Sequence, residues 1–153
     1  MIARRDGYEL SDDPRRIDLD LVWGFLRESY WSPEVPRDVV EQAVAHSLCA
    51  GLYAPDGAQV GFARAVTDEA TFAWIADVFV LEGHRGNGLG PWMVSTLLAE
   101  PRLQRLRLIV LATADAHELY GRFGFEPADS GWFMELRRPP ELLYGSPGAK
   151  PTE

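Results

Sequence analysis

The stretch His84 to Gly90, HRGNGLG, puts an arginine and three alternating glycines between an apolar run, FAWIADVFVL, and the segment PWMVSTLLAE. Glycine has no Cβ, so it takes positive φ without strain and lets another group approach the backbone. Alternating glycines leave amide N–H groups uncovered. Beyond them Leu89, Trp92, Met93, Thr96 and Leu97 recur at i, i+3, i+4, i+7 and i+8, and Pro91 suits a first helical turn. A loop that opens a helix offers unpaired amides and a partial positive charge, to which Arg85 adds a full one. The chemistry within reach is phosphate binding. A tight strand-to-helix turn without a ligand would use the same glycines. Two familiar phosphate loops are excluded. The dinucleotide fingerprint would need a glycine where Pro91 stands, and no lysine followed by Ser or Thr closes a Walker A loop.

Other side chains could carry proton chemistry. In ADAHELYGRFGF, Asp115 and Glu118 have the D-x-x-E spacing that caps a helix start, and Gly124 stands where the helix should end. Leu119 and Phe123 then share one face, and Tyr120 points at a different angle. Asp77 is the only ionisable residue inside the long apolar strand. Burial there would suit a carboxylate that takes up a proton, and it would equally suit one that accepts a hydrogen bond from an arginine or the backbone. His84 and His117 flank the motifs and read as surface residues. Cys49 reads as a small buried residue, since no GxSxG or Cys-His arrangement accompanies it. No metal spacing is present, because the His-Glu pair at 117 and 118 lacks a second histidine.

These residues need a frame. The chain has 153 residues, 46% of them hydrophobic, which suits one domain with one core. No stretch approaches the roughly 18 consecutive apolar residues of a membrane span. With 23 acidic residues against 15 basic ones, a net charge of -8 speaks against nucleic acid. The N-terminal residues lack the apolar core of a signal peptide, and a lone cysteine cannot form an internal disulfide, so a cytoplasmic location is expected. GYEL reads as a first strand, followed by helices within DLDLVWGFLRESYW and SPEVPRDVVEQAVAHSL. A hairpin follows, LCAGLY and QVGFARAV around the turn APDG. Then come the long strand TFAWIADVFVL, the glycine loop with its helix, the strand LRLIVLAT, the short helix AHELYGRF and a last strand near GWFMELR. From Pro139 a Pro- and Gly-rich tail is expected to be flexible. The expected architecture is α/β, with residues 1–138 as the domain and 139–153 as the tail.

Arg85, Gly88 and Gly90 resemble motif A of the GCN5-related N-acetyltransferase (GNAT) superfamily, whose pattern after a strand is (Q/R)-x-x-G-x-(G/A). The family's later segment A-x-x-L-Y-x-x-x-G-F is matched in order and spacing by Ala116, Leu119, Tyr120, Gly124 and Phe125. The resemblance is strongest over residues 72–127. It implies a GNAT-like fold with a central mixed, mostly antiparallel sheet flanked by about four helices. It also implies transfer of an acetyl group from acetyl-CoA to a primary amine of a small molecule or peptide, by direct attack in a ternary complex. The cofactor pyrophosphate would lie on the amides of Arg85, Gly86, Asn87, Gly88, Leu89 and Gly90. Its pantetheine arm would pair with Val78, Phe79 and Val80, where a bulge and splayed strands open a cleft. Tyr120 would be the acid that protonates the leaving thiolate, with Asp77 as a candidate base and no metal. Tyr30 and Trp31, in a Pro-punctuated stretch, would form an aromatic wall for the amine or else fill core. The chain departs from the family at Leu81 and Glu82, where V-x-P is frequent, and at Thr113, where Asn is frequent. A non-catalytic acyl-CoA-binding sensor or scaffold of the same fold is the competing reading, and a homodimer is left open.

Overall fold

The computed structural model describes residues 1–129 and 131–145. Six strands form one open sheet in chain order: β1 (Ile2–Arg5), β2 (Tyr8–Ser11), β3 (Leu48–Tyr53), β4 (Gln59–Thr67), β5 (Phe72–Val80) and β6 (Leu108–Leu111). All neighbours are antiparallel except β5 and β6, which run parallel. The helices are α1 (Leu19–Leu26), α2 (Arg37–Ala45), α3 (Leu89–Leu98), α4 (His117–Gly121) and α5 (Pro140–Tyr144). The α/β fold with a mixed, mostly antiparallel sheet is as expected, with five helices around it.

Alternation along the strands divides the apolar residues between two clusters, one on each face of the sheet. Leu52, Ala63, Ala65 and Ile75 pack with Leu89, Met93 and Leu97 of α3. Phe62, Phe79 and Cys49 pack with Val22 and Leu26 of α1 and Val40 of α2. The Phe25 ring lies flat on Phe79, with 3.8 Å between centroids and 7° between planes. α1 starts where the Asp18 carboxylate accepts from the Leu21 amide at 3.0 Å.

Two features position the site. β6 pairs with β5 only from Phe72 to Ile75, so the β5 backbone from Ala76 to Val80 has no strand partner on that side. Between the Arg64–Ala76 and Phe62–Phe79 pairs, moreover, Asp77 and Val78 oppose the single residue Ala63. This is a β-bulge, which bends the strand and raises its twist. Asp77 takes φ +54° at that point, a conformation that aspartate tolerates better than most residues.

Two expectations are corrected. The first strand is preceded by β1, which joins it through Asp6 (φ +51°) and Gly7 (φ +83°), an Asp-Gly two-residue hairpin turn. No strand forms at GWFMELR: Trp132, Met134 and Leu136 are 85%, 98% and 79% exposed, and the outer edge of β6 takes no second partner among the described residues. Period-2 apolarity makes a strand only where the segment docks on a sheet edge and buries one face. The tail begins with α5, all of its residues exposed, and positions 146–153 of the expected flexible segment lie outside the described residues.

Candidate active site

β5 ends at Val80 and the chain makes one turn over Glu82–His84 before the glycine loop. Gly86 (φ +84°) and Gly88 (φ +68°) both adopt the left-handed conformation, and Gly88 is the N-cap of α3. Its carbonyl accepts from the Trp92 amide at 3.1 Å, the first bond of the helix. No side chain caps that end, so the amides of Leu89 and Gly90 have no intrahelical partner, and Pro91 has none to offer. Nothing lies within 4 Å of where a Cβ would stand on Gly86 or Gly90. The loop is an open cradle of amides at a ten-residue helix, which fits a pyrophosphate. Arg85 folds back so that Nε donates to the Val80 carbonyl at 2.8 Å. His84, expected on the surface, is half-buried and bonds the Tyr8 hydroxyl at 2.9 Å.

Beside the open edge of β5 runs a cleft that brings together Tyr30, Trp31, Asp77, Val78, Phe79, Val80, Arg85 and Tyr120. Gly86, Asn87, Gly88, Leu89 and Gly90 stand beyond the C-terminal end of β5 and do not line this cleft. Tyr30 and Trp31 follow α1 and are 60% and 40% exposed, so they form wall and not core. Their rings meet edge to face at 5.0 Å. Trp74, 40% exposed and absent from the sequence-based candidates, lines the same cleft. A half-exposed Trp in an otherwise apolar strand gives no signal in the sequence.

The sequence reads Asp77 as an isolated carboxylate, and the structure gives it two partners. Oδ1 accepts from Trp31 Nε1 at 3.1 Å, and Oδ2 accepts from Arg64 Nε, whose guanidinium also donates to Ser47 Oγ at 3.1 Å. The ion pair is largely out of water, with side chains 17% and 8% exposed. Arg64 lies on β4, one strand over, and no local pattern announces it.

Tyr120 is 9% exposed and faces the cleft from α4. Burial first, then the neighbouring Tyr30 and the Asp115 carboxylate, hold its hydroxyl above the usual phenol value of about 10. The expected cap is corrected here. The N-cap of α4 is Ala116 and no side chain caps it; Thr113 Oγ1 accepts from the Ala116 amide at 3.0 Å, just before the helix. Asp115 instead accepts from the Tyr30 hydroxyl at 3.3 Å. Gly124 (φ +88°) ends the turn as expected, with the Phe125 amide returning to the Tyr120 carbonyl at 3.2 Å. Cys49 is buried and its thiol is pushed up to about 12 by desolvation, so it is inert at neutral pH. Among the described residues no group of His, Cys, Asp and Glu could hold a metal ion, and no helix is long and apolar enough to cross a membrane.

Comparison with known proteins agrees with this fold. Residues 47–127, more than half of the chain, match the family model described as an acetyltransferase (GNAT) domain. A Gibberella zeae protein named as a candidate acetyltransferase is 31% identical over 140 residues, spanning 77% of this chain and 78% of its own. The crystal structure of a Xanthomonas campestris pv. campestris protein, described as a candidate acetyltransferase of the GNAT family, is 40% identical. It superposes with a TM-score of 0.83 over 90% of this chain and 96% of that one. A Deinococcus radiodurans R1 protein with a similar description is 25% identical, with a TM-score of 0.70 over 90% and 94% of the two chains.

Proposed function

Because the chain belongs to the GNAT acetyltransferase family, we propose that it moves an acetyl group from acetyl-CoA to a primary amine of a small molecule or peptide. The observation that carries this is the open β5 edge, which follows directly into the amide cradle at one end and shares its cleft with the Tyr120 hydroxyl. The amides of Leu89 and Gly90 and the exposed backbone around Gly86 and Gly88 receive the pyrophosphate. The edge at Val78, Phe79 and Val80 offers backbone groups to the pantetheine amides, as a neighbouring strand would.

The acceptor enters between Tyr30, Trp31 and Trp74, whose ring faces suit a cationic amine. After it loses its proton, its nitrogen attacks the thioester carbonyl carbon. The carbon–sulfur bond breaks as the new carbon–nitrogen bond forms, the nitrogen sheds its second proton to water to become the amide, and Tyr120 gives its proton to the departing thiolate. Water returns a proton to the phenolate. Both oxygens of Asp77 are engaged, so we assign it to holding Trp31 and Arg64 in place, and the amine's proton leaves to solvent.

That assignment has a measurable outcome. Asp77→Asn leaves Arg64 without its counter-charge in a half-dry site and lowers stability by about 1.5–3 kcal/mol, read as a reduced melting temperature. The acidic limb of kcat/KM against pH stays where it is in the parent protein. Loss of that limb in Asp77→Asn would return Asp77 to the role of base.

The reading itself is tested by binding and turnover together. Acetyl-CoA at about 100 times its Kd stabilises the fold by about 2.7 kcal/mol, visible as a raised melting temperature. Free CoA thiol should then appear with at least one acceptor among polyamines, amino acids, aminoglycosides and peptides. A melting temperature unmoved by acetyl-CoA sinks the reading. Stabilisation without thiol release from any acceptor leaves the sensor or scaffold alternative.

A further inference from the structure

The β1–β2 hairpin grips the glycine loop at two points, through the two residues that flank its turn. Arg5 and Tyr8 are cross-strand partners. Tyr8 bonds His84 at 2.9 Å, and its ring meets the imidazole edge to face at 5.8 Å. Arg5 lays its guanidinium over Gly88: a Cβ built there would lie 3.5 Å from one terminal nitrogen, 3.7 Å from the other and 3.9 Å from Cζ.

What holds Arg5 there is weak. Its one bond to the loop, to the Gly88 carbonyl, is 3.4 Å long, and that carbonyl already accepts from the Trp92 amide. Its other contact is to Asp6, also at 3.4 Å, with both side chains exposed. The nearby Glu9 is taken up by Arg4 and Arg16. Most of the guanidinium's donors therefore remain available beside the unpaired amides of α3. Arg85 donates its Nε to Val80 and lines the cleft, whereas Arg5 approaches the loop from the hairpin. An arginine fork matches two phosphate oxygens at once.

We infer that Arg5 is a phosphate-binding residue for the cofactor, supplied by the N-terminal hairpin to complete the charge at the glycine loop. This rests on the cofactor reading above. The phosphate it meets belongs either to the pyrophosphate or to the 3′-phosphate on the ribose, and the two are separable.

Calorimetric titration of CoA and dephospho-CoA into the parent protein and Arg5→Gln tests it. Arg5→Gln is expected to bind CoA about tenfold more weakly. A loss confined to CoA assigns Arg5 to the 3′-phosphate, and an equal loss with dephospho-CoA assigns it to the pyrophosphate. Either loss should shrink on going from about 0.05 M to about 0.5 M salt, because a charge contact is screened. Unchanged affinity for both ligands, or a loss that salt does not alter, overturns the role of Arg5 while the cofactor reading stands. Failure of the parent protein to bind CoA overturns that reading instead.

Discussion

Replacing Tyr120 by phenylalanine is expected to slow acetyl transfer at least about tenfold in a single turnover, with folding and cofactor affinity little changed. The hydroxyl is the only group removed, and the ring keeps its edge-to-face contact with Phe125 at 5.8 Å. The sign of the effect follows from the surroundings. Burial and the negative charge of Asp115 keep the phenol protonated through neutral pH, so it can donate when negative charge develops on sulfur. An alkyl thiol with a pKa of about 8.5 is a poor enough leaving group as a bare anion for that proton to matter. In the parent protein the rate should fall as pH rises past the phenol value, and in Tyr120→Phe that alkaline limb should be missing. Single-turnover transfer at saturating amine separates chemistry from slow release of product. An unchanged rate there would reduce Tyr120 to a packing residue.

A larger loss is expected in binding from Gly88→Trp, at least about a hundredfold in Kd for acetyl-CoA. Two or more charge-assisted bonds from the cradle to phosphate are blocked, each contributing about 1.5–3 kcal/mol. Position 88 is sensitive for two separate reasons. Its φ of +68° is strained for any side chain, and the space a Cβ would point into holds the Arg5 guanidinium. Gly88→Ala incurs the backbone strain, about 1–2 kcal/mol of stability, yet leaves most of the amide surface open. A folded Gly88→Trp that binds acetyl-CoA as the parent does, measured by calorimetry, places the phosphate site elsewhere.

The parts legible from sequence are those written in consecutive residues. The glycine loop, the apolar rhythm of α3 and the Gly124 stop each depend on a few neighbouring positions, and each appears where expected. The Asp-Gly hairpin turn before Tyr8 is just as local and was readable, although the strand before it has only Ile2 and Ala3 to mark it. The bulge at Asp77 is of another kind. It exists because β4 and β5 pair out of step, and the carboxylate is met by Trp31 and Arg64, 46 and 13 residues away. Asp115 shows how a local rule loses to such a contact, since it has the spacing of a cap but turns to Tyr30, 85 residues distant. The segment at Trp132 carries a strand pattern but stays off the free edge of β6, and a pattern alone does not dock a segment onto a sheet.

The division of the apolar interior into two clusters bears on how this protein could change over evolutionary time. The cluster under α3 underlies the glycine loop, and the cluster under α1 and α2 underlies the turn carrying Tyr30 and Trp31. Leu81, the residue between β5 and the loop turn, is packed against both. Substitutions at Val22, Leu26 or Val40 therefore act first on the acceptor side and reach the donor side only through Leu81 and Phe79, since residues that share few partners couple weakly. On the acetyl-transfer reading, a lineage can exchange one amine for another by drift within α1 and α2, while Arg5, Tyr8 and the glycine loop go on holding the same donor.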